Sequence, residues 1–442
     1  LKKTKHSKIF LFCRTRLLFL FAALSAAAAY WRPGLENQPY CAIDNRCCKN
    51  REDDCSHRIL DTICYCDEFC NRSRTHDDCC PDYEEVCLGI VPPPPLTRQP
   101  CRHHNDFYEI GDKRQDNCNT CQCIADDNNP NGGRWSCEKD ECLMSDEVVN
   151  GVSRAGLGWR ARNYTQFYGK KLQDGIKYKL GTLPLTAETQ RMVPIRYEKD
   201  IAYPNNFDSR TRWPQFISPI VDQGWCGSDW AVSIASIASD RFAIQSNGAE
   251  RMILSPQSLL SCNRRQQKGC EGGHIDVAWN FARNEGLLDE ECFPYTANVT
   301  RCPFKPRGTL IQDGCRPAVR RRTSRYKVGP PGRLDKEQDI MFDIMESGPV
   351  QAVMTVYQDF FHYQDGIYRR SPYGNNRYQG LHSVRIVGWG EDYQGKYWIV
   401  ANSWGREWGE NGYFRIARGD NESGIESFIV TVLADVTEAQ RK

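Results

Sequence analysis

The chain has no surplus of charge of either sign. Its 58 basic and 56 acidic residues leave a net charge of +2 over 442 residues, so no global field argues for nucleic acid as a partner. It has no apolar run approaching the roughly 20 residues of a membrane span; Leu17-Leu18-Phe19-Leu20-Phe21-Ala22-Ala23-Leu24 is short by that measure. Its cysteines form no regular pair of CxxC knuckles, which argues against structural zinc. Neither a metal nor a cofactor is expected.

Cysteine itself is abundant, and unevenly spread. Of 23, ten fall between Cys41 and Cys87, six between Cys101 and Cys142, and six between Cys226 and Cys315, with Cys13 alone. Even numbers within each cluster predict three separately disulfide-bonded modules in an oxidising compartment. Residues 1–29 fit that compartment. Lys2, Lys3, Lys5, Lys8, Arg14 and Arg16 precede the apolar run, and Ala26 to Ala29 offer small residues for cleavage, as in a secretory signal. A retained signal anchor is the alternative; the shortness of the run favours cleavage, which removes Cys13 and leaves no membrane-spanning segment. The chain starts at Leu1 rather than Met, so its extreme N-terminus is read as incomplete. Asn71, Asn163, Asn298 and Asn421 open Asn-x-Ser/Thr sequons, consistent with a secreted glycoprotein.

Five further segments can be told apart. Residues 38–88 are too short to fold without cross-links. Their Cys64-Tyr65-Cys66-Asp67-Glu68-Phe69-Cys70 and Cys79-Cys80-Pro81-Asp82-Tyr83 runs resemble a somatomedin B domain. Two cysteines beyond the usual eight leave the pairing open. Residues 89–99 include Pro92 to Pro95 and read as a stiff polyproline II spacer. In residues 100–143, Cys118-Asn119-Thr120-Cys121-Gln122-Cys123 with Trp135-Ser136-Cys137 looks like part of a von Willebrand factor C-type module. In residues 144–205, Trp159 to Tyr164, Phe167-Tyr168-Gly169 and Tyr178 to Thr182 resemble the propeptide of cathepsin B. A structured linker is the bland alternative, and nothing in the sequence shows that this segment is cut.

Residues 206–435 carry the chemistry-bearing motifs. Ser228 is placed to cap a helix whose apolar positions Trp230, Ala231, Ile234, Ile237, Ala238 and Phe242 recur at helical spacing. Ser383 to Val387 and Tyr397 to Val400 read as strands, with turn residues between Gly390 and Gly395. The stretch Asp222-Gln223-Gly224-Trp225-Cys226-Gly227-Ser228-Asp229-Trp230-Ala231 resembles the active-site signature of papain-like cysteine peptidases. That resemblance implies an α+β, two-lobed papain-like cysteine-peptidase fold, a helical lobe beside a β-barrel lobe, preceded by small disulfide-rich modules.

Such enzymes need a thiolate, an imidazole beside it, a group orienting the imidazole, and oxyanion donors. The resemblance gives Gln223 the oxyanion position, His382 the base position and Asn402 the orienting position, with Cys270-Glu271-Gly272-Gly273 completing the pattern. The nucleophile position is Asp229, a poor attacker of amides. An aspartate in the first turn of a helix is nonetheless electrostatically favoured and is expected to pair with protonated His382. The family pattern also implies a Cys226–Cys270 disulfide. Cys262, Cys292, Cys302 and Cys315 are expected in two further bridges of undetermined pairing. Phe216 and Ala243 stand where cathepsin B has a cysteine pair, and Phe428 where it has a glutamate in its specificity pocket. The His-His segment of its occluding loop has no counterpart between Cys292 and Cys315.

The order of modules resembles the tubulointerstitial nephritis antigen family, over roughly residues 38–435. The resemblance implies a secreted, catalytically inactive matrix or basement-membrane glycoprotein associated with laminin, type IV collagen and integrin-type receptors. Its cleft is expected to retain the shape to hold extended peptides. Two rival classes are an active cysteine endopeptidase and a protease decoy or inhibitor. Arg316, Arg320, Arg321, Arg322, Arg325 and Lys327 place six positive charges in twelve residues, which suits sulfated glycans. A solvated loop accounts for them equally well, and proprotein-type cleavage at Arg320–Arg322 is a third use. If the run binds glycans, serine replacements of its arginines will lower the salt concentration at which the protein leaves a heparin column; unchanged elution leaves only a solvated loop or a cleavage site.

Overall fold

The computed structural model describes residues 39–59, 62–70, 78–90, 101–126, 129–198, 201–303, 324–375 and 379–437. Residues 1–29, Cys13, Asn71 and Pro92 to Pro95 lie outside them. The chain divides into two compact units, Leu1–Arg98 and Gln99–Lys442.

In the first unit a two-stranded antiparallel ladder joins Ser56–Ile59 to Thr62–Tyr65. Its small core is largely sulfur: Cys41, Cys55, Cys64, Cys66 and Cys80 are buried with Tyr40 and Tyr83. Four disulfides hold it, Cys41–Cys66, Cys47–Cys87, Cys48–Cys55 and Cys64–Cys80. The expectation that all ten cysteines pair is corrected here, because Cys70 and Cys79 are free thiols. The Cys41, Cys66 and Cys80 sulfurs lie close enough together to surround an ion, but each is already in a disulfide, which leaves no thiolate to coordinate one.

The second unit begins with a β-rich segment closed by Cys101–Cys123, Cys118–Cys142 and Cys121–Cys137; the last joins adjacent strands of a three-stranded sheet, and the first ties that sheet to the strand Cys101–His103. This segment is joined to the remainder of the unit by backbone and side-chain hydrogen bonds. Leu143 donates its N–H to Lys170 O, Leu172 to Glu141 O, and Gln358 Nε2 to Cys142 O.

The helical lobe is organised around Asp229–Gln245. Fifteen of its 17 residues are buried, so it turns almost no side to solvent and reads as the helix at the centre of a large core. Trp230, Ile234, Ile237 and Phe242 pack with Leu254, Leu259, Ile275 and Trp279. Ser228 does not cap it. The Ser228 backbone is not extended and its side chain makes no cap bond; its hydroxyl pairs with Tyr295 OH instead.

The second lobe is a nine-stranded sheet. Along it run Gly332–Leu334, Ile429–Thr431, Val350–Val356, Gly380–Asp392, Gly395–Ala401, Tyr413–Ala417, Tyr363–Tyr368 and Trp159–Ala161, with Phe207–Asp208 pairing Gly380–Asp392 off that path. The expected strands at Ser383–Val387 and Tyr397–Val400 lie within two of these. One strand, Trp159–Ala161, comes from the propeptide-like segment and pairs antiparallel with Tyr363–Tyr368. Its neighbours Tyr164, Phe167 and Leu172 are buried in the same apolar cluster as Phe360, Trp404 and Trp408. The segment is therefore part of the core of this lobe.

Charges bury only where they are paired. Arg241 on the central helix is fully buried and meets Asp343 at 2.5 Å, with Pro349 O, Gly348 O and Val432 O as further acceptors. Asp343 also accepts from Tyr197 OH and Thr431 Oγ1. Arg385 on the sheet meets Asp240 at 2.6 Å, and Asp240 takes the Ser218 N–H. These two ion pairs tie the central helix to the other lobe. Removing one partner strands the other charge, so Asp343→Ala is expected to cost about 3–5 kcal/mol of stability in urea unfolding; a loss below about 1 kcal/mol would show that the pair is not a tie.

His362 is buried and neutral. Its Nδ1 faces Gln358 O at 3.1 Å and its Nε2 accepts the Ser145 N–H at 2.9 Å, which fixes the Nδ1–H tautomer. Burial pulls its pKa down to about 4, whereas the unfolded ring protonates near 6.5. Below that value the unfolded state binds more protons, so stability contributed by the neutral ring is intact above about pH 6.5 and lost as pH falls toward 4. Unfolding measured from pH 7 to 4 is expected to show a loss on the order of 3 kcal/mol from this group, and His362→Gln will flatten that limb.

Candidate functional site

The lobes meet where the start of the central helix faces the strand Gly380–Asp392. Asp229 is the first residue of that helix, and His382 and Ser383 sit near the start of the strand. All three are buried, Asp229 and His382 completely. His382 Nε2 lies 2.8 Å from Asn402 Oδ1, and Trp404 flanks the ring at a centroid distance of 5.1 Å. Nδ1 lies 3.2 Å from Asp229 Oδ2 but is not directed along that line as a hydrogen bond. The motifs predict that these residues share a site, and the structure brings Gln223, Asp229, His382 and Asn402 into one.

The partners of Asp229 are unexpected. Its Oδ1 accepts the Gly181 N–H at 2.6 Å. Its Oδ2 accepts the Thr182 hydroxyl at 2.5 Å and the Ser383 N–H at 2.8 Å. Two of these three donors belong to the propeptide-like segment, so its strongest contacts are with that strand rather than with the imidazole.

That segment enters the cleft from the helix Leu172–Lys179. Thr182 then forms a parallel bridge with Gly273 on one side and an antiparallel bridge with Leu381 on the other. The Gly273 N–H donates to Gly181 O, and the Leu183 N–H to Gly273 O. The crossing is closed by glycine: a Cβ at Gly181 would lie 1.9 Å from Gly227 O, and one at Gly272 would lie 2.6 Å from Gly181 O. The cleft expected to hold extended peptides holds an extended stretch of this chain itself, which occupies the space beside Asp229.

The oxyanion position is engaged as well. Gln223 Nε2 donates to Cys226 O at 2.9 Å and lies 3.4 Å from both Tyr178 O and Lys179 O. Its Oε1 accepts from Ser403 Oγ. Trp404 Nε1 also points at Lys179 O. The Lys179 ammonium is buried against the rings of Phe167 and Trp225, and burial lowers its pKa to about 8 against the opposing pull of Asp222, 3.9 Å away. Lys179 gave no sequence signal of its own; the only hint was the Tyr178–Thr182 likeness.

The other predicted residues are scattered through both lobes. Cys226 and Cys270 are bonded, as are Cys262 and Cys302. Cys292 is also in a disulfide; Cys315 lies outside the described residues. The Phe216 ring packs against Gly248, where a Cβ would come within 2.9 Å of it, and Ala243 is buried, so apolar contact stands at both positions. Phe428 is buried in the helical-lobe core with Arg333 over its ring. Asn298 and Asn421 are exposed, whereas Asn163 is half-buried with its amide donating to Asp146. Arg316, Arg320, Arg321 and Arg322 lie outside the described residues. Arg325 is removed from the basic run: it is buried, its Nε on Glu285 O and its guanidinium 3.2 Å from the Glu285 carboxylate. Lys327 is half-buried.

Comparison with known proteins places this geometry. Residues 203–433 match the model of the papain family of cysteine proteases. A tubulointerstitial nephritis antigen-like protein of Mus musculus is 40% identical over 93% of this chain and 94% of its own length. The tubulointerstitial nephritis antigen of Homo sapiens is 38% identical over 89% of this chain and 87% of its own. Among solved structures, procathepsin B S9 from Trypanosoma congolense superposes with a TM-score of 0.57 at 29% identity, covering 66% of this chain and 99% of that one. The chain thus has a cathepsin B-like, papain-type fold and belongs to the family of tubulointerstitial nephritis antigen and antigen-like proteins.

Proposed function

We propose that this protein is a secreted, catalytically inactive glycoprotein of the extracellular matrix, which uses its peptidase fold as a binding scaffold. One observation carries the inactivity. The residue facing His382 is a carboxylate, and both its oxygens are already engaged by Gly181, Thr182 and Ser383. A carboxylate attacking an amide would give an anhydride that reverts. Loss of a protease nucleophile lowers turnover by on the order of a million-fold. Gln223 Nε2 donates to Cys226 O at 2.9 Å and lies 3.4 Å from the Tyr178 and Lys179 carbonyls, so backbone of this chain already occupies the oxyanion position. Cys226 does not substitute, because its sulfur is in a disulfide.

Secretion is supported by nine disulfides among the described residues, by the signal-like residues 1–29, and by exposed sequons at Asn298 and Asn421. No described helix is long and apolar enough to cross a membrane. The partners we propose are laminin and collagen, integrin-type receptors and, through Arg316 and Arg320–Arg322, sulfated glycans. The rival reading as an active endopeptidase has no attacker at the site. The reading as a protease decoy is disfavoured by a cleft that already holds a strand of the same chain.

Purified secreted protein is expected to show no adduct at residue 229 with a peptidyl epoxide and no cleavage of a broad peptide library by mass spectrometry. Turnover that vanishes in Asp229→Ala would overturn the proposal. In pull-downs from matrix extract, laminin-type partners support the scaffold role, and recovery of cathepsins in their place supports the decoy.

A further inference from the structure

We propose that Asp229 converts the degenerate cleft into a binding site for a peptide strand bearing a glycine followed by a hydroxyl residue, and that its resident ligand is this chain's own Gly181-Thr182. The inference concerns what the carboxylate holds, which is separate from whether the protein cuts peptides.

The recognition is specific at each atom. Asp229 Oδ1 takes the backbone N–H of the glycine at 2.6 Å. No side chain is tolerated there, because a Cβ would sit 1.9 Å from Gly227 O and 2.6 Å from Gly227 Cα. Those are backbone atoms held by the neighbouring disulfide and by the Gly227 N–H bond to Cys270 O, so they cannot yield as a flexible side chain would. Asp229 Oδ2 takes the hydroxyl of the next residue at 2.5 Å. Thr182 has a single hydroxyl proton. Thr182 Oγ1 also lies 2.7 Å from Ser383 Oγ, and the charged carboxylate is the stronger of the two acceptors for that proton. A valine has the shape of threonine but supplies no proton, and would leave the buried carboxylate a donor short.

The rest of the cleft fixes the direction and position of the strand. Thr182 bridges Gly273 and Leu381, one partner from each lobe. Two residues before the glycine, the Lys179 carbonyl faces Gln223 Nε2 and Trp404 Nε1, and its ammonium lies against Phe167 and Trp225. The groups expected to hold a reacting carbonyl and to attack it have become a donor and an acceptor for one strand. Hydrogen bonds to a charged group are stronger than neutral ones, so an aspartate holds this strand more firmly than a neutral residue of similar size.

Amide hydrogen exchange on the full-length protein tests this. The Gly181 and Ser383 amides are expected to exchange slowly in the wild type and in Thr182→Ser, which keeps the hydroxyl. In Thr182→Val and in Asp229→Asn, Gly181 is expected to exchange at least about tenfold faster, by more than any change in global stability measured by urea unfolding. If Asp229→Asn fails to fold, the Thr182 pair decides alone, since it alters only the strand. A Gly181 amide as fast as an unprotected one in the wild type, or equal rates in Thr182→Val and Thr182→Ser, would overturn the proposal. Turnover of peptides has no bearing on these rates, so an error about catalytic inactivity would show elsewhere.

Discussion

A carboxylate buried completely between two lobes must be met by donors, and this requirement organises the centre of the molecule. An unpaired ion in such a place costs several kcal/mol after relaxation. Asp229 meets the requirement with two N–H groups and one hydroxyl, drawn from two separate stretches of chain. His382 Nδ1 lies 3.2 Å away but is not aligned to contribute a hydrogen bond. The carboxylate therefore depends on the strand at Gly181-Thr182 more than on the imidazole that faces it. If that strand left, Oδ1 would lose its only hydrogen-bond donor among the described residues and Oδ2 would keep the Ser383 N–H alone.

The same dependence explains the glycines around the crossing. Gly181, Gly227 and Gly272 let three backbones approach to distances at which a single methyl group would collide with a carbonyl oxygen. Close approach of this kind is what brings Gly181 N–H and Thr182 hydroxyl to one carboxylate at the same time. A well-packed site of backbone atoms is less able to relax than one lined by long side chains, so its preference for glycine is steep.

Much of this was legible in the sequence, for particular reasons. The order of Gln223, residue 229, His382 and Asn402 was readable because each sits in a short motif whose neighbours are also diagnostic. The central helix was readable from its apolar spacing, although its near-complete burial was not, since Ser233, Ser236, Ser239, Asp240 and Arg241 look polar in the sequence and are all buried. They are accommodated by partners far along the chain, such as Arg385 for Asp240 and Asp343 for Arg241, which no local pattern reveals. Ser228 looked like a cap because serine before a helix usually is one; here Tyr295, 67 residues away, takes the hydroxyl. Arg325 looked like part of a basic surface because five neighbouring charges are basic, yet Glu285 draws it inward. In each case the missing term was a long-range partner for a buried polar group.

The propeptide-like segment carries the largest consequence of this kind. In sequence it reads as an appendage laid over a cleft. In the fold it supplies a strand to the sheet at Trp159–Ala161, apolar side chains to the core at Tyr164, Phe167 and Leu172, and the donors for Asp229. Excising it would open the edge of a sheet and bare several buried aromatic rings, as well as stranding a charge. A cut in the chain near residue 200 would sever one covalent connection while leaving all of these contacts in place. Cleavage and release are thus different events in this molecule. The cleft of a peptidase must be emptied for it to work, whereas here the contents of the cleft are among the things that keep the two lobes together.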